Sequence, residues 1–313
     1  MKIVGLEPLG VSEQKLKECI ATYLPATAEI ELHDRRPKDD EEAVSWAKDA
    51  DVIIVANMPL RRNVLEKCPK VRMISVAFTG VDHVDVTYCH ERGMVVSNCA
   101  GYSTQAVAEL VIGMVIALSR KLDACGKAVR SGGTSAGLKG WELRGKIFGI
   151  IGTGAIGLRT AELARAFGCR ILAFSRTERD IEGVQYVSLE TLLKQSDIVS
   201  VHVPVTAETK GMLNGERLRL MKPSAVLINC ARGPIVDAGA LSVCLKEGVI
   251  AGAGIDVYDT EPPIPKDNPL LTAPNVVLAP HIGFLTEEAL EDRCDLCFNN
   301  VTCWLNDAPV NLV

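Results

Sequence analysis

The feature that most constrains the fold of this chain is a glycine-rich turn between an apolar run and a helical pattern. Residues 146–157 read KIFGIIGTGAIG, with an apolar run that ends at Gly152. This G-x-G-x-x-G spacing, with a strand before it and a helix after it, is typical of a dinucleotide-binding unit. Gly152 allows a tight turn, Gly154 lets a pyrophosphate approach the backbone, and Gly157 lets the helix pack closely on its strand.

Strand and helix patterns alternate along the whole chain, which is typical of the α/β class. We therefore predict two Rossmann-like, doubly wound parallel-sheet domains with an active-site cleft between the domains. Strands are predicted over residues 2–6, 28–32, 51–56, 71–76, 94–97, 147–151, 170–174, 197–202, 225–229, 251–255 and 276–279. Helices are predicted over residues 11–24, 40–47, 103–119, 158–167 and 287–305.

Composition excludes several classes of function. The formal net charge of the chain is −5, and acidic and basic residues are interspersed, so no nucleic-acid-binding stripe is expected. The longest apolar run, residues 107–118, is too short for a membrane span, and no signal peptide is expected. The eleven cysteines are scattered and match no zinc pattern, which predicts reduced thiols, a cytoplasmic location and no metal site.

Three polar residues follow predicted strands on one rim of the second sheet. Arg232, Glu261 and His281 come after the strands at 225–229, 251–255 and 276–279. A guanidinium can bind the carboxylate of a 2-oxo acid and polarise its carbonyl, and an imidazole can donate the proton as hydride arrives. A carboxylate can orient that imidazole and favour its charged form. Each residue alone is equally compatible with a structural role, but together they predict hydride transfer between a 2-oxo acid and a 2-hydroxy acid.

The order of several motifs resembles the D-isomer-specific 2-hydroxyacid dehydrogenases over nearly the whole chain. The motifs are, in order, the TGVDHVD loop at 79–85, GTGAIG at 152–157, HVPVT at 202–206, NCARG at 229–233, residues 256–262, and PHIG at 280–283. The resemblance implies an NAD(P)-dependent oxidoreductase similar to glyoxylate/hydroxypyruvate reductase or to phosphoglycerate dehydrogenase. It also implies a homodimer, with an interdomain helix at residues 103–119.

The resemblance assigns roles to residues and bounds to domains. It implies a catalytic trio of Arg232, Glu261 and His281, and a substrate-binding set of Phe78, Thr79, Gly80 and Arg232. The predicted cofactor-binding residues are Gly152, Thr153, Gly154, Ala155, Ile156, Gly157, Ser175, Arg176, Thr177, His202, Val203, Pro204, Thr209, Cys230, Ala231, Asp256 and Thr104. Within this set, Asp256 and the Cys230 carbonyl would face the nicotinamide amide. Residues 1–99 plus 284–313 would form the substrate-binding (catalytic) domain, and residues 100–283 the dinucleotide-binding Rossmann domain.

The second strand of the fingerprint unit departs from the usual NAD motif. That motif carries an acidic residue about 20 positions after the glycines, where it binds the ribose 2′-hydroxyl. Here Ser175, Arg176 and Thr177 follow the strand, and these residues can hydrogen-bond and neutralise a 2′-phosphate. We therefore predict that NADP is favoured over NAD. The alternative is that Arg176 points to solvent and that NAD binds.

The identity of the substrate is less constrained by sequence. Phe78, Tyr102 and the segments 58–60 and 284–285 are candidate pocket-lining residues, although core packing explains them equally well. Glyoxylate and hydroxypyruvate are the default substrates. Arg61 and Arg62 leave phosphoglycerate dehydrogenase open as an alternative. A non-catalytic, corepressor-like dinucleotide sensor is a second alternative, which the intact trio disfavours because a sensor needs no proton donor.

Overall fold

The computed structural model describes residues 1–260 and 263–313, and the chain divides into two compact units. The first unit contains Met1–Ser103 and Leu285–Val313, and the second contains Thr104–Phe284. These divisions lie within a few residues of the predicted domain boundaries. Each unit contains one parallel sheet with helices, so the predicted α/β class with two parallel-sheet domains is confirmed.

The first unit is built on a five-stranded sheet with the order β2-β1-β3-β4-β5, in which all neighbours are parallel. The strands are β1 (Lys2–Gly5), β2 (Glu29–Leu32), β3 (Val52–Val55), β4 (Met73–Val76) and β5 (Val95–Asn98). The helices are α1 (Glu13–Tyr23), α2 (Asp40–Ala47), α3 (Arg62–Leu65), α4 (Val86–Glu91) and α11 (Glu287–Leu305). Strands β3 and β4 are buried along their whole length, as expected for a sheet covered on both faces.

The last segment of the chain completes the first unit. Asn300 of α11 donates from Nδ2 to the carbonyl of Asn98 at 2.8 Å. Beyond the helix, the N–H of Val313 donates to the carbonyl of Val96 at 3.1 Å, and the tail pairs antiparallel with β5 at Ser97. The tail therefore covers the edge of β5, whose backbone groups would otherwise be open to pairing with another chain.

The second unit is built on a seven-stranded parallel sheet with the order β12-β11-β10-β9-β6-β7-β8. Its strands are β6 (Ile147–Ile151), β7 (Arg170–Phe174), β8 (Val184–Tyr186), β9 (Ile198–Val201), β10 (Val226–Asn229), β11 (Gly252–Ile255) and β12 (Val276–Leu278). Its α-helices are α5 (Thr104–Ser119), α6 (Leu122–Arg130), α7 (Ala155–Ala166), α8 (Leu189–Gln195), α9 (Gly215–Leu218) and α10 (Ala238–Lys246), and short 3₁₀ turns cover Gly233–Ile235 and Pro269–Thr272. From β6 the chain adds β7 and β8 on one side, and then returns to add β9 to β12 on the other side. The strand order therefore reverses between β6 and β9, as in dinucleotide-binding sheets.

Two local differences from the sequence-based prediction bear on the site. Strand β8 was not predicted, because three partly exposed residues give too little alternation to detect. Helix α7 begins at Ala155 instead of residue 158, because Gly154 already occupies the cap position. Within the described parts of the chain, none of the helices combines the length and the apolar character that crossing a bilayer requires.

Candidate active site

The glycine turn after β6 is shaped by two close backbone approaches. Gly152 has a φ of 99°, and a Cβ atom there would lie 2.7 Å from the carbonyl oxygen of His202. A Cβ atom on Gly157 would lie 2.0 Å from the carbonyl oxygen of Gly152. Neither position can accept a side chain without moving the backbone. A Cβ atom on Gly154, in contrast, would have no atom within 4 Å, so the backbone of that residue faces open space.

The start of α7 has the geometry needed for an anion. Gly154 caps the helix with extended backbone and has no side chain to occupy the first N–H groups, which belong to residues such as Ala155 and Ile156. Helix N-termini carry partial positive charge, so these N–H groups suit a pyrophosphate. The glycine turn and this helix start therefore fit a dinucleotide.

The loop after β9 supports the glycine turn from one side. The N–H of His202 donates to the carbonyl of Ile151 at 2.7 Å, and its Nε2 lies 2.9 Å from Ser200 Oγ. Burial lowers the pKa of His202 to about 3, so this imidazole stays neutral and acts as a structural support. Farther along the same loop, Thr209 Oγ1 donates to the carbonyl of Pro204 at 2.6 Å and fixes its shape.

Tyr186 contacts the glycine turn, and the sequence analysis did not predict this contact. Its hydroxyl donates to Thr153 Oγ1 at 3.1 Å, and Thr153 is buried in the turn. Tyr186 ends β8 and pairs with Ala173 of β7. A period-two pattern at residues 184–186 was the only signal available, and it is too short to predict a strand.

Residues 175–177 follow β7 on the other side of the glycine turn. Ser175 is half-buried, whereas Arg176 and Thr177 are exposed. The hydroxyl of Thr206 and, more weakly, the charge of Arg176 lower the pKa of the Glu208 carboxyl. The charge of Arg176 therefore reaches the loop after β9.

The loop that carries Arg232 is held by a buried asparagine at the end of β10. Asn229, only 1% exposed, accepts the N–H of Ala231 at 3.1 Å and donates to the carbonyl of Arg232 at 3.0 Å. Arg232 itself donates from Nη1 to the carbonyl of Ala231 at 2.8 Å. A Cβ atom on Gly233 would lie 2.0 Å from the carbonyl carbon of Tyr258, so the loops after β10 and β11 are in direct contact.

The loop that carries His281 is held in turn by Asp256 at the end of β11. The N–H of His281 donates to the carbonyl of Asp256 at 2.8 Å. The buried carboxylate of Asp256 accepts the N–H of Ile282 and of Gly283, each at 2.8 Å. His281 has a φ of 59° and packs edge-on against Phe284, with ring centroids 5.6 Å apart. The loop therefore presents the imidazole from a constrained backbone.

Three neighbouring strand ends thus bring Arg232, Asp256 and His281 to one edge of the second sheet. Glu261, the third residue of the predicted trio, lies outside the described residues. The carboxylate of Asp256, predicted to face the nicotinamide, is engaged with the backbone of the His281 loop. At Cys230, burial and the charge of Asp256 raise the thiol pKa well above its usual value, so that the side chain is an uncharged thiol.

The predicted substrate loop lies at the end of β4 in the first unit. Asn98 Nδ2 donates to the carbonyl of Thr79 at 2.8 Å, and the N–H of Cys99 donates to the carbonyl of Phe78 at 2.9 Å. The ring of Phe78 is buried and lies 6.2 Å from that of Tyr102. Since both carbonyls are bound from the β5 side, residues 78–80 have a defined backbone. The remaining predicted residue, Thr104, is the first residue of α5.

Comparisons with known proteins show which family the chain resembles over most of its length. The model of the D-isomer specific 2-hydroxyacid dehydrogenase NAD binding domain matches residues 112–283. The glyoxylate reductase of Thermococcus litoralis is 40% identical over 303 residues, which cover 91% of this chain and 90% of that protein. The glyoxylate reductase of Thermofilum pendens is 38% identical over 312 residues, which cover 95% of this chain and 89% of that protein.

A solved structure is similar over the full length. An acyclic imino acid reductase in complex with NADPH and D-Arg has a TM-score of 0.91 and 33% identity, and the alignment covers 100% of both chains. The family match and the two reductases confirm the predicted resemblance and an NAD(P)-dependent 2-hydroxyacid reductase activity. The chain therefore belongs to the family of D-isomer-specific 2-hydroxyacid dehydrogenases.

Proposed function

We propose that this enzyme reduces a small 2-oxo acid to the D-2-hydroxy acid, with NADPH as the preferred reductant. The observation that carries the proposal is the coupling of the strand ends that bear Arg232 and His281. Asn229 holds the first loop, Asp256 holds the second, and Gly233 brings the loop after β11 against the first. A cation and a titratable imidazole on fixed backbones suit a substrate with a carboxylate and a carbonyl.

Each residue has a defined part in this reaction. A dinucleotide held at the glycine turn would supply the hydride for C2 of the substrate. Arg232 binds the substrate carboxylate and polarises the C2 carbonyl, and His281 gives its proton to the carbonyl oxygen, which becomes the product hydroxyl. Glu261 orients the imidazole, a role that rests on the family resemblance. The N–H groups of Thr79 and Gly80 hold the substrate carboxylate.

The preference for NADP rests on the residues after β7. Ser175 leaves room for a 2′-phosphate, where an acidic residue would repel it, and Arg176 supplies a positive charge. The similar imino acid reductase has NADPH bound, which supports the same choice here. Glu208 interacts with the charge of Arg176, so its carboxylate weakens the attraction for a 2′-phosphate.

Glyoxylate and hydroxypyruvate are the proposed substrates. Support comes from the two similar enzymes named glyoxylate reductase. A phosphorylated substrate is less well supported, because both candidate guanidinium groups have protein partners. Arg61 donates to the carbonyl of Asp82 at 3.1 Å. Arg62 binds Glu66 at 2.8 Å and lies over a tyrosine ring.

We also propose that the enzyme is a homodimer, with α6 at the contact between subunits. Leu122 and Val129 are 53% and 76% exposed. They lie seven residues apart, which places them on one face of the helix. Exposed apolar residues in register on one face suit a second copy of the same surface. Val129→Glu should then convert the dimer to a monomer in light scattering, whereas an unchanged mass would contradict this contact.

The proposed function is tested by assaying the purified protein with a panel of 2-oxo acids and both reduced cofactors. The expected result is turnover of glyoxylate and hydroxypyruvate with a higher kcat/KM for NADPH than for NADH. Turnover restricted to a phosphorylated 2-oxo acid would favour a phosphoglycerate dehydrogenase. Tight cofactor binding with no turnover of any acid would favour a dinucleotide sensor and overturn the proposal.

A further inference from the structure

The first unit has its own topological switch point, between β1 and β3. Its strand order, β2-β1-β3-β4-β5, reverses there, and open α/β sheets bind ligands outside the carboxyl ends of the strands at such a point. Glu7 lies two residues beyond the end of β1 at this place, and it is only 4% exposed. A carboxylate so deeply buried requires several hydrogen bonds to offset its lost hydration.

Those hydrogen bonds come from the turn that follows β3. Glu7 Oε1 accepts the N–H groups of Ala56, Asn57 and Met58 at 2.8, 2.8 and 2.9 Å. Glu7 Oε2 accepts from Arg36 Nε at 2.9 Å, and the same guanidinium also contacts Asn57 Oδ1. One side chain therefore fixes three consecutive backbone N–H groups that lie about 50 residues away in sequence.

This turn is joined to the loop after β4. The N–H of Leu60 donates to the carbonyl of His83 at 2.9 Å, and the N–H of Asp85 donates to the carbonyl of Leu60 at 3.1 Å. Leu60 also forms a parallel bridge with Val84. Glu7 thus holds a turn that is joined, through Leu60, by backbone hydrogen bonds to the loop where the proposed function places the substrate carboxylate.

We propose that Glu7 is a positioning residue that sets substrate specificity. It fixes the Asn57–Met58–Pro59 turn as the wall against which the group at C3 of the 2-oxo acid packs. The inference rests on the proposed function, because it concerns the same substrate. Glyoxylate has no C3, so a displaced wall leaves its binding unchanged. Hydroxypyruvate carries a hydroxymethyl group, so a displaced wall leaves this group without its packing surface.

The test compares kcat and KM for glyoxylate and hydroxypyruvate in the native enzyme and in Glu7→Ala and Glu7→Gln. In Glu7→Ala we expect KM for hydroxypyruvate to rise and kcat/KM to fall about tenfold or more, because small misplacements in a binding site are costly. The values for glyoxylate and the Kd for NADPH should change by less than about twofold. Glu7→Gln keeps an acceptor oxygen for the three N–H groups and should recover part of the selectivity.

A matched control is available on α2. Glu42 also binds an arginine, at 2.8 Å from Arg35, and accepts a backbone N–H from Lys38 at 2.7 Å. Glu42→Gln removes an equivalent charge away from the switch point and should leave the ratio of the two kcat/KM values unchanged.

If kcat/KM falls by the same factor for both acids, Glu7 has only a structural role. Native kcat/KM values for both acids in the variants would equally overturn the inference. If the alanine variant does not fold, the ratio in Glu7→Gln decides alone. A native enzyme that reduces neither acid would overturn the proposed function and, with it, the role of Glu7. Failure of the proposed function is measured with the native protein, whereas failure of the Glu7 inference is measured with the variants. The two failures are therefore distinguishable.

Discussion

Asp256 holds the backbone of His281 through its own carbonyl oxygen, which accepts the His281 N–H at 2.8 Å. Its carboxylate then accepts the next two N–H groups, those of Ile282 and Gly283. His281 has a φ of 59°, a left-handed conformation that a histidine adopts at an energetic cost when its surroundings require it. The residue predicted to face the nicotinamide therefore also fixes the loop of the proposed proton donor.

Replacing Asp256 should affect both stability and catalysis. Asp256→Ala leaves the N–H groups of Ile282 and Gly283 without their acceptor, and Gly283 is buried. We expect the free energy of unfolding to fall by about 2–4 kcal/mol, measured by urea denaturation. Asp256→Asn retains one acceptor oxygen and should lose less. An alanine variant with native stability and native kcat would show that the loop does not depend on this carboxylate.

His281→Ala should remove most of the turnover. Loss of a general acid lowers kcat by about 10²–10⁴-fold, while the Kd for NADPH should stay near the native value because the imidazole acts on the substrate. Steady-state kinetics and fluorescence titration measure the two quantities. His90→Ala, in the first unit, is the control and should keep native kcat. Near-native activity in His281→Ala would exclude this residue as the proton donor.

Arg232→Lys should be poorly tolerated. An ammonium group cannot reproduce the planar, two-point contact of a guanidinium with a carboxylate, so KM for the 2-oxo acid should rise and kcat should fall together. The matched control is Arg219→Lys, since Arg219 is an exposed arginine of the same unit that binds Glu247 at 2.7 Å. Unchanged kinetics in Arg232→Lys would refute the two-point contact.

Two alanine variants in the glycine turn should differ in their effect on the melting temperature. Gly157→Ala places a Cβ atom 2.0 Å from the carbonyl oxygen of Gly152, so the melting temperature of the protein should fall by several degrees. Gly154→Ala meets no atom within 4 Å and should keep the native melting temperature. It should nevertheless weaken NADPH binding, because its methyl group occupies the approach of the pyrophosphate. Native affinity in Gly154→Ala would place the pyrophosphate elsewhere.

The preference for NADPH should shift toward NADH when two residues that follow β7 are replaced together. Ser175→Asp combined with Arg176→Ala adds a repulsion and removes an attraction for the 2′-phosphate, so the NADPH/NADH ratio of kcat/KM should drop about tenfold or more. The ratio is measured before and after the change with the same 2-oxo acid. A native enzyme that prefers NADH, or a ratio that does not move, would contradict the preference for NADP.

The first residue of some helices could be predicted from sequence, because a capping side chain marks the start of the helix. Helices α2 and α11 begin where predicted, since Asp39 and Thr286 accept the N–H of the third residue after them. The strand ends that bear Arg232 and His281 also follow from local pattern. The contacts of Glu7 and Asp256 could not be predicted from local pattern, because each joins a side chain to backbone groups more than 20 residues away in sequence. Sequence alone does not show which backbone groups a distant carboxylate will meet.

The return of the chain to its first unit has a consequence for the order of folding during synthesis. Helix α11 and the tail that pairs with β5 complete a unit that begins at Met1, although all of Thr104–Phe284 is made before them. At about 5–20 residues per second, the ribosome needs on the order of ten seconds or more to add that intervening segment. During this time the second unit can reach its native structure, while the first still lacks the helix that packs on β4 and β5. The first unit is therefore completed only after the whole of the second unit has been synthesised.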